Sequence, residues 1–195
     1  MSSYSLYGKY KNLRDSSWQS LIDFNVMKLP VSVNEITRQL GIKVIRNSQI
    51  HKLRNNQRGF TAYDGNNWYI VFDDIETIQE CRFTVAHELG HILLGHMLVN
   101  DIKYRTFEKR DKEEQEADMF ATRLLAPACV LHELHATTAA EIAEICNISI
   151  STATTRAKRM KVLEKRNKYY LNPLELQVEQ RFDSFIKDYL AKINN

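Results

Sequence analysis

The residues with the clearest chemical potential lie in the segment RFTVAHELGHILLGH, residues 82–96. His87 and His91 are four positions apart, and Glu88 directly follows the first histidine. On a helix, positions i and i+4 lie about 40° apart, so both imidazoles project from one face and can reach a single metal ion. Glu88 lies about 100° round the helix, where its carboxylate can flank the metal without binding it.

The chemistry that this arrangement predicts is that of a zinc hydrolase. Zinc prefers nitrogen and oxygen ligands at about 2.0–2.1 Å in tetrahedral geometry, and a catalytic site leaves one position open. The ion lowers the pKa of water at that position towards about 7. Glu88 would take a proton from this water and later pass it to a leaving amine, as in a metalloprotease.

A catalytic zinc site needs three protein ligands, so one more has to be found. His96 comes five positions after His91, about 140° round a helix predicted over residues 76–98, and is expected to point away as a capping or surface histidine. A metzincin pattern would need Gly at 94 and His at 97, where this chain has Leu94 and Met97. The third ligand is therefore expected from another element.

The acidic run EEQEAD, residues 113–118, is the better source of that ligand. Gluzincin-type enzymes use a glutamate there, with an acid four residues later that supports a ligand histidine. Only Glu114 has such a partner, because Asp118 follows it at i+4 on the same face. A carboxylate bonded to an imidazole N–H fixes the tautomer and raises the basicity of the ring. Glu114 is the predicted ligand and Asp118 the predicted support, with Glu113 as the competing ligand and Glu116 as a solvated residue.

The elements that must position these residues can be read from the periodicity of the chain. Residues 17–28 and a short segment ending at Gly41 have helical apolar spacing. IKVIR predicts a strand, and RGFTAYD and WYIVFD predict a hairpin whose turn contains residues 64–66. The HELGH segment and EEQEADMFATRLLA predict two helices, separated by a highly charged loop at residues 101–111.

After Pro127 the sequence pattern changes from mixed strands and helices to helices alone. Two helical patterns flank residues 147–149, and an amphipathic stripe follows Pro173. Three parts are predicted: a domain that carries the HELGH and acidic motifs over residues 1–128, a helical module with the outline of a helix-turn-helix over 129–170 and an amphipathic helix over 171–195.

Composition excludes several classes of protein. The chain has 195 residues, 44% hydrophobic and 26% charged, which is typical of one globular protein of moderate size. A net charge of +3 is too small to indicate a polyanion partner by itself. Three cysteines without a CxxC pair favour reduced thiols, and no apolar run reaches the roughly 20 residues that cross a bilayer. We therefore expect a cytoplasmic protein with no membrane association.

Two motifs together resemble the ImmA/IrrE family of metallopeptidases. RFTVAHELGHILLGH followed by EEQEADMFATRLLAP is similar to the family's RFTxAHELGH run and its ExxA(N/D)xFAxxLLxP helix. LPVSVNEITRQLGIKVI and AEIAEICNISISTATTRAKRM resemble its entry segment and its helix-turn-helix-like region. The resemblance covers about residues 25–163, with the motifs in the expected order and spacing.

The resemblance implies an α+β, zincin-like fold with a small antiparallel sheet beside the HELGH helix. It implies that His87, His91 and Glu114 hold one Zn²⁺ per chain and that Glu88 is the catalytic glutamate, although Mn²⁺ or Fe²⁺ could use the same ligands. It also implies a site-specific endopeptidase that cuts a helix-turn-helix repressor of a mobile element or a stress response.

The segment from Arg156 to Lys168 has seven Lys and Arg residues against one acidic residue, Glu164. A basic second helix after a helix and turn could bind DNA phosphates, and Arg156 and Arg159 are the predicted contacts with nucleic acid or a partner. Two other interpretations are open: the module shows its charges to water, or it docks the repressor. The competing functions are accordingly a DNA- or repressor-binding regulator with structural zinc, and a metal-free relative without activity.

Overall fold

A computed structural model of the chain describes Lys9, residues 12–96 and residues 112–193. The loop predicted at residues 101–111 lies outside these described residues. The described part is a mixed α+β fold, as predicted. Its elements, in chain order, are α1 (Leu13–Asp23), α2 (Val33–Gln39), β1 (Lys43–Arg46), α3 (Asn47–Ile50), β2 (Gly59–Tyr63), β3 (Trp68–Phe72), α4 (Ile78–Leu94), α5 (Lys112–Leu125), α6 (Ala128–Glu133), α7 (Ala139–Cys146), α8 (Ile150–Arg166) and α9 (Pro173–Ile193).

The sheet has the strand order β1-β3-β2 and is mixed. β2 and β3 form the predicted antiparallel hairpin, in which Thr61 lies opposite Ile70. β1 pairs with the other edge of β3 in parallel, with Val44 opposite Ile70. The direction of β1 therefore differs from the expected antiparallel sheet, because the chain reverses once between β1 and β2 and again at the hairpin turn.

Asp64 explains why the hairpin turns where it does. Its Oδ1 accepts hydrogen bonds from the backbone N–H groups of Asn66 and Asn67, at 2.8 and 2.7 Å. Gly65 takes a positive φ of 96°, a conformation that costs a residue without Cβ little. The Tyr69 hydroxyl donates to Asp64 Oδ2 at 2.6 Å, and this bond, followed by the two backbone bonds, lowers the pKa of Asp64. The turn fixes the register of β2, which faces the candidate site.

Helix α4 carries the HELGH motif and has a defined cap at each end. The Thr77 side chain accepts a hydrogen bond from the Glu80 N–H, which satisfies one of the free donors of the first turn. At the other end Gly95 has a positive φ of 77° and returns its N–H to the last turn. The helix therefore ends at Leu94, four residues earlier than the predicted limit of 98.

Helix α5 lies close to α4 because a glycine stands at the point of contact. A Cβ added to Gly90 would lie 3.0 Å from Cδ1 of Phe120 and 3.4 Å from the Cα of Ala117. Phe120 and Leu89 are fully buried in this core. The small residue in the middle of HELGH thus allows the close approach that brings the acidic turn of α5 near the two histidines.

The described residues form two compact units. Of the described residues, the first unit contains Lys9, 12–16, 33–96 and 112–121, and the second contains 17–32 and 122–193. The sheet, α4 and the acidic first turn of α5 all belong to the first unit. The predicted domain limits at residues 128 and 170 separate sequence motifs, and as limits of functional domains they remain predictions.

The second unit is helical, and its core includes Leu131, Ile142 and Phe182, all fully buried. Helices α7 and α8 lie where two helical patterns are predicted, and the helix predicted after Pro173 is α9. The apolar stripe of α9 is buried at Val178, Phe182 and Ile186. Among the described helices, none has both the length and the apolar character needed to cross a membrane.

Candidate metal centre

The predicted ligand histidines are buried on α4. His87 is 6% exposed and His91 only 1%, and their neighbours Ala86 and Leu89 are fully buried. Imidazole groups withdrawn from water in this way need polar partners, because an unsatisfied buried polar group is costly. Their partners include each other, the carboxylates of α5 and, for His91, the ring of His96.

Three side chains converge at this point. The Nε2 atoms of His87 and His91 are 2.9 Å apart, and Glu114 places one carboxylate oxygen 3.1 Å from the first and the other 3.6 Å from the second. His87, His91 and Glu114 form the group of potential metal ligands found within the described residues, with their ligand atoms all within 4.8 Å of one another. Glu113, the competing candidate, is exposed and lies outside this group.

The donor set fits a zinc ion. Two ligands that are about 2.0–2.1 Å from a tetrahedral metal are about 3.3–3.4 Å from each other. The two imidazole nitrogens, 2.9 Å apart, are within about 0.5 Å of that value, and the two oxygens of Glu114 lie 3.1 Å from Nε2 of His87 and 3.6 Å from Nε2 of His91, respectively. Two imidazoles and one carboxylate are also the donor types found in catalytic zinc sites, which leave a fourth position for water or substrate.

Asp118 lies directly behind His87, with its Oδ1 2.9 Å from Nδ1 of the ring. A carboxylate can only accept, so this contact places an imidazole proton on Nδ1 and directs Nε2 towards Glu114. Burial alone would lower the pKa of His87, but hydrogen bonds with Asp118 and then Glu114 outweigh it and raise that pKa to about 9.

Glu88 is held beside the metal ligands by the sheet. Glu88 is buried, with 3% of the residue exposed, and its carboxylate accepts a hydrogen bond from the Thr61 hydroxyl at 2.8 Å. Gly59 lies two residues earlier on β2. A Cβ added to Gly59 would lie 2.5 Å from Cγ2 of Thr84 and 3.4 Å from Cγ of Glu88, so glycine allows this close contact. The β2 strand therefore comes close enough to α4 to orient the glutamate.

His96 differs from its prediction as a capping or surface residue. It is 6% exposed, and its Nδ1 is 3.2 Å from Nδ1 of His91. A helix that continued to residue 98 would point His96 away from His91, whereas α4 ends at Leu94 and the chain turns at Gly95. Because the chain turns at Gly95, the ring of His96 lies beside α4 and contacts His91 instead of pointing away from it.

Glu116 also differs from its prediction as a solvated residue. Its Oε2 is 2.9 Å from Nε2 of His96, and its side chain is 24% exposed. Its other oxygen is 3.6 Å from the ammonium group of Lys112, which is 87% exposed. Glu116 therefore joins the site through His96.

The two arginines predicted as surface contacts have opposite environments in the second unit. Arg156 is buried, 6% exposed, whereas Arg159 is exposed. Burial, and then the charge of Arg123, lowers the pKa of Arg156 to about 10, and within the described residues its Nε has no hydrogen-bond partner. The prediction for Arg156 needs correction, because a guanidinium within the unit is not available to DNA or to a partner.

Three residues of the site were missed by sequence reasoning. Thr61 gave no local signal, because its role depends on which strand lies beside α4. His96 could have been found from Gly95, since glycine in a left-handed conformation is a common helix end. Glu116 follows only once His96 is placed.

A small sheet beside an HExxH helix, with the third potential ligand on the next helix, defines the class of zincin-like metallopeptidase domains. The chain belongs to the Peptidase M78 family, the IrrE N-terminal-like domain, whose profile matches residues 37–165. That match includes both motifs and confirms the predicted family.

A phage protein is similar to part of the chain. The uncharacterized immunity region protein 2 of Bacillus phage phi105 is 37% identical over 101 residues. The match covers 51% of this chain and 61% of the phage protein, so the chain spans less than two thirds of that relative's length.

Proposed function

We propose that this chain is a cytoplasmic zinc-dependent endopeptidase that makes a site-specific cut in a helix-turn-helix repressor. The observation that carries the proposal is the convergence of His87, His91 and Glu114 within 4.8 Å, with Glu88 beside them. A structural zinc site has no use for a base next to an open position. Glu88 is therefore the feature that favours catalysis over a structural role.

In this proposal each residue has one task. His87, His91 and Glu114 would hold the metal, which would act as a Lewis acid on the scissile carbonyl and lower the pKa of water. Glu88 takes the proton of the attacking water and delivers it to the leaving amine. Thr61 orients the Glu88 carboxylate through its 2.8 Å hydrogen bond, and Asp118 orients the ring of His87.

Membership of the peptidase family and the immunity region relative support the choice of substrate. The corresponding role for this chain is control of a mobile element or a related response through removal of a repressor. A protein substrate also agrees with the proposed role of Glu88, whose carboxylate takes a proton from water and can then deliver it to an amine leaving group.

The test is incubation of the purified chain with the helix-turn-helix repressor encoded nearest to its gene. The wild type should give a discrete cut that a chelator abolishes, and Glu88→Gln should bind zinc normally and give no cut. Glu113→Gln is the matched control, because it changes a neighbouring glutamate outside the ligand group. Cleavage by Glu88→Gln at the wild-type rate would refute the mechanism.

A second candidate function is a DNA- or repressor-binding regulator in which zinc is structural. It is favoured by the exposure of six of the seven basic residues of the segment from Arg156 to Lys168, namely Lys158, Arg159, Lys161, Lys165, Arg166 and Lys168. This function predicts that Glu88→Gln keeps full biological activity and that Arg159→Glu abolishes it. A gel shift without DNA binding at low salt would eliminate its DNA-binding form.

A further inference from the structure

A third histidine lies against the candidate metal centre without belonging to the ligand group. His96 follows the left-handed Gly95, and its backbone N–H donates to the His91 carbonyl at 3.0 Å. Its ring is buried, with the whole residue 6% exposed. This backbone hydrogen bond fixes the position of the His96 backbone next to α4, and so limits which side chains the His96 ring can contact.

His96 links a ligand histidine to a carboxylate. One ring nitrogen, Nδ1, is 3.2 Å from Nδ1 of His91, and the other, Nε2, is 2.9 Å from Oε2 of Glu116. The three residues come from α4, from the turn after it and from α5. A continuous path of two contacts therefore runs from the His91 ring to the carboxylate of Glu116.

The direction of these two hydrogen bonds follows from the chemistry of the groups. An ionised carboxylate only accepts, so Nε2 of His96 carries the proton and donates it to Glu116. In a neutral imidazole the other nitrogen then has a lone pair, so Nδ1 of His96 accepts from Nδ1–H of His91. With its proton on Nδ1, His91 presents the lone pair of Nε2 to the metal centre.

We propose that His96 and Glu116 are positioning residues that fix the ring orientation and tautomer of His91 as a metal ligand. The role is the counterpart of Asp118, which contacts Nδ1 of His87 directly at 2.9 Å. At His91 the ring of His96 lies against Nδ1 and extends the contact to the carboxylate of Glu116. The inference rests on the metal site of the proposed function but not on proteolysis.

Matched substitutions at position 96 test the first link. Asn has an oxygen where His96 has Nδ1, whereas Leu, of nearly the same shape, has a methyl group. Loss of such a supporting contact typically weakens metal binding by about 10–100-fold. In competition with a chromogenic chelator, His96→Leu should therefore lose about 10-fold or more in zinc affinity, and His96→Asn should recover much of that loss.

A second variant and a spectroscopic measurement separate positioning from a general effect on the fold. Glu116→Gln should weaken zinc binding, and Glu113→Gln, on the same helix turn, should leave it unchanged. In the zinc-loaded protein with ¹⁵N-labelled histidine, the ring nitrogen shifts should show the proton of His96 on Nε2 and that of His91 on Nδ1. A merely space-filling role would set neither tautomer.

The outcomes distinguish this inference from the metal site on which it rests. Equal zinc affinities for the wild type, His96→Leu and Glu116→Gln would overturn the inference and leave the ligand group intact. A proton on Nδ1 of His96 would overturn it as well. No zinc binding by the wild type would overturn both the inference and the metal centre.

Discussion

At the scale of single residues, Thr61 supplies a hydroxyl group that donates to the Glu88 carboxylate. Thr61→Val removes the donor to Glu88 Oε2 but keeps the shape of a side chain that is 4% exposed. Because the carboxylate is no longer oriented, repressor cleavage should fall by about 10-fold or more, while zinc content stays at the wild-type level. Rate measurements and metal analysis on the same preparation check both parts.

The matched control for that substitution is Thr37→Val. Thr37 is 1% exposed and its hydroxyl donates to the Asn34 carbonyl at 3.0 Å, on helix α2, which carries none of the candidate site residues. Both variants lose a buried hydrogen bond, with a cost of about 1 kcal/mol in unfolding free energy. Equal loss of cleavage in the two variants would show that Thr61 acts through stability alone.

Cys81 provides a prediction on pH dependence. Burial, and then the negative charges of Asp74, Asp73 and Glu76, raises the pKa of its thiol above the usual 9.0. A raised pKa means less thiolate at any given pH, and the thiolate is the reactive form. Alkylation by iodoacetamide should therefore be slow at neutral pH and reach half of its maximum rate only above pH 9.

Cys129 is the internal comparison for that experiment. It is fully buried, and burial raises its pKa to about 12. Mass spectrometry of the folded chain should find Cys129 unmodified under conditions that alkylate Cys81. Half-maximal alkylation of Cys81 near pH 8 would contradict the predicted direction of the shift.

At the scale of elements, the approach of α5 to α4 depends on Gly90. In Gly90→Ala the new Cβ would lie 3.0 Å from Phe120, so α5 has to move by a few tenths of an ångström. Overpacking costs about 1–3 kcal/mol and the better helix propensity of Ala returns about 1 kcal/mol, which leaves a net loss of about 1 kcal/mol in unfolding free energy. Zinc affinity should also fall, because Glu114 lies on α5.

Denaturant unfolding and zinc competition measure the two effects. Ile78→Ala, at a position of α4 that is 71% exposed, is the control and should change neither quantity appreciably. A Gly90→Ala variant that binds zinc as tightly as the wild type would show that the acidic turn of α5 tolerates the displacement.

Helix α8 gives opposite predictions for its two tested arginines. Arg156→Ala removes a buried side chain and should lower the unfolding free energy of the chain by about 1–3 kcal/mol. Arg159→Ala removes an exposed side chain and should change it by less than about 0.5 kcal/mol. Thermal or denaturant unfolding of both variants decides this, and the reverse order would contradict the burial of Arg156.

Elements with a strong periodic pattern could be predicted from the sequence, and contacts set by tertiary packing could not. The hairpin, α4 and α5 occur where their patterns indicate, because alternation and helical spacing are local properties. The predicted end of α4 at residue 98 lies four residues beyond the observed end at Leu94, although Gly95 marks that end. Because the predicted helix continued past His96, His96 was expected to point away from the site. Thr61 and Glu116 become part of the site only through neighbours distant in the sequence.

At the scale of the whole molecule, metal binding should appear as stability. A ligand that binds only the folded state adds about 2.7 kcal/mol at 100 times its dissociation constant, which for a chain of this size corresponds to a rise of about 5–10 °C in melting temperature. Zinc should produce this rise and a chelator should reverse it. Glu114→Gln should lose most of the rise while Glu113→Gln keeps it, as calorimetry would show; equal rises in the two variants would contradict Glu114 as a ligand.

The interleaved arrangement of the two units has a consequence for synthesis on the ribosome. Residues 17–32 belong to the same compact unit as residues 122–193, and Arg181 donates to Asn25 at 2.7 Å across 156 positions of the chain. At about 5–20 residues per second, Asn25 is made roughly 8–30 s before this partner. The segment from His87 to Asp118, which contains the candidate metal ligands, is synthesised within that interval, so the order of translation favours assembly of the candidate metal centre before the partners of residues 17–32 have been made.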